Sequence, residues 1–238
     1  INDNTPSYQL DVDGSMNINN SGIYFNNQLG IHSRTTSICV GIAAGENYQN
    51  TGTGIGNSFF GTGSGHDITT GANNTFAGQY TGMTITEGSY NSVFGESSGI
   101  NLTTGTQNTL IGAHAGNTIS STNYNTMLGY NAGYNNNGSG NVFIGFSAGQ
   151  YTSGVSNTLF IENSNSNLPL IYGDFTDGNE IVKINGDFET TGKAKISEIL
   201  HLTPLTSAPS SGSNGDIYVG TDNHIYCYLN GVWKQLDN

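Results

Sequence analysis

Asn108-Thr-Leu-Ile-Gly112, continuing through Ala-His-Ala to Gly116, is one copy of a unit that recurs along the chain. Its first five residues return as Asn74-Thr-Phe-Ala-Gly78, Asn91-Ser-Val-Phe-Gly95, Asn125-Thr-Met-Leu-Gly129 and Asn141-Val-Phe-Ile-Gly145. Each copy ends on a second glycine, at Gly82, Gly99, Gly133 and Gly149. Asn57-Ser-Phe-Phe-Gly61 opens the series and Asn157-Thr-Leu-Phe160 closes it, so the leading asparagines fall 17, 17, 17, 17, 16 and 16 residues apart. Ser37-Ile-Cys-Val-Gly41, running on to Gly45, reads as a degenerate first copy 20 residues upstream. A fixed period decides the architecture before any secondary structure is assigned.

The period is too short for a helical repeat, which needs roughly 30 residues, or for a propeller blade, which needs about 40. Two glycines per unit would also cost a helix roughly 1 kcal/mol apiece. A coil of parallel β-solenoid or β-roll fits, with a short strand at the Asn-Thr-Leu-Ile segment, and successive coils would stack about 4.8 Å apart. The glycines at the fifth position, Gly61, Gly78, Gly95, Gly112, Gly129 and Gly145, then mark a corner that needs positive φ or close backbone approach. The stacked asparagines are expected to form a side-chain amide ladder.

Adjacent apolar residues on a strand point to opposite faces. One column, Phe59, Phe76, Val93, Leu110, Met127, Phe143 and Leu159, is expected to fill the coil. The other, Phe60, Ala77, Phe94, Ile111, Leu128, Ile144 and Phe160, would form an apolar stripe on the outside of a single chain, and self-association would cover it.

The composition agrees and excludes alternatives. Charged residues are 9% of the 238, while glycine fills 35 positions and 13 Tyr and 10 Phe are spread along the chain. That aromatic content argues against disorder. The formal charge is −12, and no Lys or Arg lies between Arg34 and Lys183. Neutralising phosphates of nucleic acid or anionic lipid has no residues to work with. No stretch approaches the length of a membrane span, and no cofactor or metal motif is present. Cys39 and Cys227 stand in unrelated contexts and read as small buried hydrophobes. The first residue is Ile, which suggests a fragment or processed product.

The units at 108–116 and 141–149 resemble the head repeats of trimeric autotransporter adhesins and the related shafts of phage tail fibres. Those head repeats are usually shorter, with an extra residue before the glycine. The resemblance implies a homotrimer and a role in attachment. The flanks look like the connector modules of such fibres: Leu10 to Ile18 and Val182 to Phe188 alternate apolar and polar residues around Gly14 and Gly186. Asn230-Gly231 is a type I′ hairpin signal and Asp222-Asn223 an earlier turn, which makes the end of the chain a small β-meander. The organisation expected is an N-terminal β connector over 1–36, the shaft over 37–165, a β connector over 166–202, a Pro/Ser/Gly-rich linker over 203–214 and the meander over 215–238.

Signals for catalysis are weak. Ser64, His66 and Asp67 lie close in sequence, but a triad is defined by spatial roles. Asp11 and Asp13 lack the rest of a calcium loop. Asp174, Asp177, Glu180 and Asp187 could supply a pair of carboxylates, yet they sit in a turn-rich connector where solvated acids are ordinary. His32, His114, His201 and His224 occur singly. Binding has more to offer: Tyr48, Tyr80, Tyr90, Tyr124, Tyr134 and Tyr151 stand among Asn, Ser and Gly in the inter-repeat loops, a mixture suited to glycans. Tyr226, Tyr228 and Trp233 could serve the same end or simply form the meander core. The function expected is therefore a non-enzymatic, extracellular attachment fibre of a virion or cell surface, whose partners are copies of itself and a glycan or protein receptor. A self-assembling filament or matrix protein comes next, and a glycan-degrading tailspike after it.

Overall fold

The computed structural model describes residues 23–25, 28–34, 36–48, 54–178, 180–194, 200 and 202–237. The alternating segment around Gly14, with Asp11 and Asp13, lies outside them, as does His201. The chain divides into two units, Ile1–Asp187 and Phe188–Asn238. All regular structure among the described residues is β, as the repeat requires.

The first unit carries one sheet. Its strands are β1 (Ile23–Phe25), β2 (Gln28–Arg34), β3 (Ser37–Val40), β4 (Ser58–Phe60), β5 (Thr75–Ala77), β6 (Ser92–Phe94), β7 (Thr109–Ile111), β8 (Thr126–Leu128), β9 (Val142–Ile144), β10 (Thr158–Ile161), β11 (Ile171–Asp174) and β12 (Ile181–Ile184). They lie in sequence order across the sheet. From β3 to β10 each strand pairs in parallel with the next, one strand per coil, which is a parallel β-solenoid. Antiparallel strands flank the ladder at both ends, β1–β2 before β3 and β11–β12 after β10.

Three columns fill the coil. The middle residue of each strand, Cys39, Phe59, Phe76, Val93, Leu110, Met127 and Phe143, is fully buried. Small residues stand five positions on, for example Ser64, Thr81, Ser98 and Ala115, all fully buried, and the hydroxyls of Thr81 and Ser98 donate to carbonyls of the next coil. Ile68, Ile85, Leu102 and Ile119 form a third column, extended by Tyr48 at one end and by Asn136 at the other. Tyr48 is thus an interior residue, 4% exposed, and not a loop tyrosine.

The asparagine ladder is present. Asn74 donates through both its backbone N–H (2.9 Å) and its Nδ2 (3.1 Å) to Asn57 Oδ1, and its Nδ2 also reaches Gly88 O at 2.8 Å. Asn91, Asn108 and Asn125 repeat this pattern. Each amide therefore ties its coil to the preceding one and also spans its own coil. Ser37 serves in the first copy, where its Oγ accepts from Asn57 N at 3.0 Å.

The fifth-position glycines turn the corner with φ near +130°, for example +127° at Gly95 and +133° at Gly112. A Cβ on Gly95 would lie 2.6 Å from the carbonyl of Gly112, so the coils approach too closely there for any side chain.

The last coil departs from the sequence register. Thr158, not Asn157, takes the place in the ladder, its backbone N–H donating to Asn141 Oδ1 at 3.0 Å. Asn157 drops to the position before it, with φ +56°. A one-residue slip exchanges the faces of a strand, so Phe160 goes inside and Leu159 does not. The exchange lets Phe160 pack on Phe143 (5.3 Å between ring centroids) and on Tyr172 of β11 (5.7 Å), a better filling for the end of the core.

The second unit carries an antiparallel sheet of β13 (Ile217–Val219), β14 (Ile225–Leu229) and β15 (Val232–Gln235). Leu229 pairs with Val232 across Asn230 (φ +52°) and Gly231 (φ +86°), the two-residue turn expected from the sequence. The Pro/Ser/Gly-rich stretch packs on this sheet. Leu205 bridges Gly220, and Pro209 O accepts from Trp233 Nε1 at 3.0 Å.

Candidate functional site

Side chains that face outward from the strands build the first surface. Phe60, Phe94, Ile111 and Leu128 are 38–44% exposed on successive or alternate rungs, with Ala77, Ile144 and Val40 half-buried in the same column. Parallel pairing in constant register sets them one above another, Phe94 on Ile111 and Ile111 on Leu128. This is the exposed apolar stripe expected of an isolated chain.

The candidate tyrosines do not converge on one place. Tyr90 and Tyr124 occupy the same coil position two rungs apart, both with positive φ and both 63% exposed, while Gln107 holds that position between them. Tyr80 covers Gly63 of the preceding coil, and Tyr151 is exposed on a different part of the coil. Tyr134 alone joins a cluster. Its ring lies 6.2 Å from His114, which meets Tyr130 edge-on at 5.8 Å, and Tyr130 stacks on Phe146 at 5.6 Å with planes 10° apart. Tyr130 and Phe146 follow the corner glycines Gly129 and Gly145, a position where the repeat motif states no preference. Only the rung-on-rung topology reveals that they touch.

Ser64 faces the core, where its Oγ donates to Phe76 O at 3.5 Å. His66 sits between two carboxylates, Nδ1 2.6 Å from Asp67 Oδ1 and Nε2 3.2 Å from Glu46 Oε2. The three residues therefore do not converge as a triad. Asp174, at the end of β11, accepts from Thr176 N at 2.9 Å, and Asp177 and Glu180 follow in the connection to β12. Asp187 follows the far end of β12. Among the described residues no group of three or more His, Cys, Asp or Glu side chains could hold a metal, and no helix is long and apolar enough to cross a membrane.

No protein-family model, curated protein or solved structure matches the chain. The geometry of its surfaces therefore carries the functional argument.

In the second unit Trp233 is a packing residue. It meets Tyr218 edge-on at 4.8 Å and Tyr228 at 5.0 Å, and Gly212 lies against both Trp233 and Tyr228. Tyr218 also stacks on Tyr226 at 4.8 Å. Tyr226 Oη donates to Asp222 Oδ2 at 2.5 Å. That bond, with help from the His224 backbone N–H, lowers the Asp222 carboxyl below its usual range, and the same bond raises the Tyr226 hydroxyl to about 12. Asp237 is lowered chiefly by the Ile225 N–H that it accepts.

Proposed function

We propose that the chain is an extracellular, non-enzymatic attachment fibre, in which three copies pack their solenoids side by side and present a surface to a receptor. The observation that carries this reading is the column Phe60, Phe94, Ile111 and Leu128, apolar and exposed on rung after rung. A stripe repeating at the rung spacing is matched in length and period by one partner above all, the same stripe of another copy. Large contiguous apolar patches on soluble chains mark contact surfaces. The three-fold arrangement follows the resemblance of the repeat to fibre and adhesin shafts.

Sedimentation equilibrium on the full chain tests it, with a trimer expected. Ile111→Lys together with Leu128→Lys should give monomers that keep the far-UV spectrum of the solenoid, because neither side chain is interior. A monomeric parent chain overturns the reading.

One observation favours a second reading. β12 pairs only with β11 among the described strands, and its Ile181, Val182 and Ile184 are 37–68% exposed. An exposed apolar edge strand invites pairing with another chain, as a head-to-tail filament requires. Electron micrographs separate rods of one length from open-ended filaments.

A further inference from the structure

We propose that His114, Tyr130, Asn131, Tyr134 and Phe146 form a binding site for a neutral pyranose of a surface glycan. The proposal rests on the attachment reading for its purpose, and needs neither the trimer nor the apolar stripe.

The site breaks the repeat where the fold has no need to. The position after the corner glycine holds Ile42 in the first coil and Thr62, Gln79, Glu96 and Ala113 in the next four, none of them aromatic, and those coils close with the same strands and the same backbone bonds. Tyr130 and Phe146 replace these with large rings on two successive rungs, 47% and 52% exposed. Such rings add nothing to the coil interior. They offer an apolar surface of the kind on which the C–H face of a pyranose packs. The stack ends at Phe146, since Asn163 follows on the next rung and its Oδ1 accepts from Phe146 N at 3.2 Å.

Polar atoms stand beside the rings without partners. His114 Nδ1 and Asn131 Oδ1 are both buried and make no hydrogen bond among the described residues. They occupy the same coil position on adjacent rungs, with φ +58° and +54°. Buried polar atoms are almost always paired, and an orphan needs an explanation. A sugar hydroxyl both donates and accepts, so it can serve the amide oxygen or the imidazole nitrogen once that side chain turns outward. Aromatic rings with an imidazole and an amide are a complete set for a polyhydroxylated ring: area from the first, direction from the other two.

Charge narrows the class. No Lys or Arg lies between residues 34 and 183, and Glu96 is exposed in the column that leads to Ala113 and Tyr130. Uronic, sialic or sulfated sugars would meet a field of their own sign. Nucleobases also stack on aromatic rings, but their phosphates would find no cation here.

The test uses the full chain and substitutions that the repeat itself supplies at the same coil position: Tyr130→Thr as in Thr62, Phe146→Gln as in Gln79, and His114→Ser and Asn131→Ser as in Ser97. Titration calorimetry against oligomers of glucose, galactose, mannose and N-acetylglucosamine, with oligo-uronates and sialylated oligosaccharides beside them, should show binding to a neutral member and none to the anionic ones. Tyr130→Thr and Phe146→Gln should each weaken that binding about tenfold, the size of one lost aromatic contact. His114→Ser and Asn131→Ser should weaken it several-fold, while Glu87→Thr, on another part of the coil, should leave it unchanged. Failure of every neutral oligosaccharide to bind overturns the proposal, as does binding indifferent to these four substitutions. A change in sedimentation on Tyr130→Thr or Phe146→Gln also overturns it, because the rings would then be buried between copies. A monomeric chain that binds and loses binding on substitution keeps the site and sinks only the trimer.

Discussion

In the parallel ladder each rung meets copies of itself above and below, whereas in the C-terminal meander each strand meets a different neighbour. The chemistry of what gets buried differs accordingly. The ladder hides polar groups as readily as apolar ones: Asn57, Asn74, Asn91, Asn108 and Asn125 are at most 1% exposed, because the next asparagine always stands where a partner is needed. In the second unit Cys227 is the buried hydrophobic side chain among the described residues, and the polar contacts lie at the surface, such as Asn230 N to Asn214 Oδ1 at 2.8 Å, or are only partly buried, such as Trp233 Nε1 to Pro209 O. Repetition makes a buried polar network affordable; without it, a small sheet must rely on aromatic edges and wet hydrogen bonds.

Removing one amide from each region should expose the largest difference. Asn108→Ala removes the Nδ2 donor from Asn91 Oδ1, which keeps the backbone N–H of residue 108, and leaves Asn125 N and Nδ2 without the Oδ1 acceptor and Thr122 O without its donor, all in the interior. Several buried groups orphaned together should cost about 3–5 kcal/mol. Asn214→Ala removes one exposed turn contact and should cost about 0.5–1 kcal/mol. Urea titration checks both, with far-UV dichroism following the ladder and the single tryptophan, Trp233, following the meander. Equal losses would mean that the ladder is not a cooperative network.

A glycine pair sharpens the same contrast. Gly95→Ala meets a φ of +127° and the backbone of Gly112, and strain plus collision should cost about 4 kcal/mol. Gly231→Ala also has positive φ, +86°, but nothing lies within 4 Å of the added methyl. It should cost only the conformational penalty, about 1–2 kcal/mol. The same denaturation experiment reads both.

These contrasts follow what could and could not be read from the residues. Adjacent apolar residues at a fixed period give the strand, its inside and its outside, and the recurring Asn and Gly give the ladder and the corner. The column of Ile68, Ile85, Leu102 and Ile119 escapes that reading, because each stands between two polar residues instead of beside a second apolar one. Its own recurrence, as in Thr84-Ile85-Thr86, is the signal that finds it. Register fails at Asn157 for a related reason: the motif matches there, but Phe160 gains ring contacts with Phe143 and Tyr172 only after a slip of one residue. Tyr134 was legible as a candidate, whereas its neighbours Tyr130 and Phe146 were not, since contact between residues 16 apart depends on how the coils stack. Trp233, by contrast, is held by Pro209, Tyr218 and Tyr228, and its place is structural.

The smallest expected effect separates the two regions by pH. Amides of the ladder do not titrate, but the Tyr226–Asp222 bond joins two groups that do. The Asp222 carboxyl is lowered from 3.8, so its contribution to the folded meander is present above that value and lost as pH falls through its own, lower one. The Tyr226 hydroxyl is raised from 10.0 to about 12, so its contribution is present below pH 10 and lost as pH rises through 12. Between those limits the bond holds, and both groups are solvent-exposed, so the stabilisation is small. Tyrosinate absorbance of the parent chain minus that of Tyr226→Phe should show one hydroxyl ionising near pH 12. Trp233 fluorescence should respond over the same range, through the Tyr218 ring that touches both Tyr226 and Trp233. A difference curve centred near pH 10 would mean that the hydroxyl spends its time in water, and that the meander is held by its aromatic packing alone.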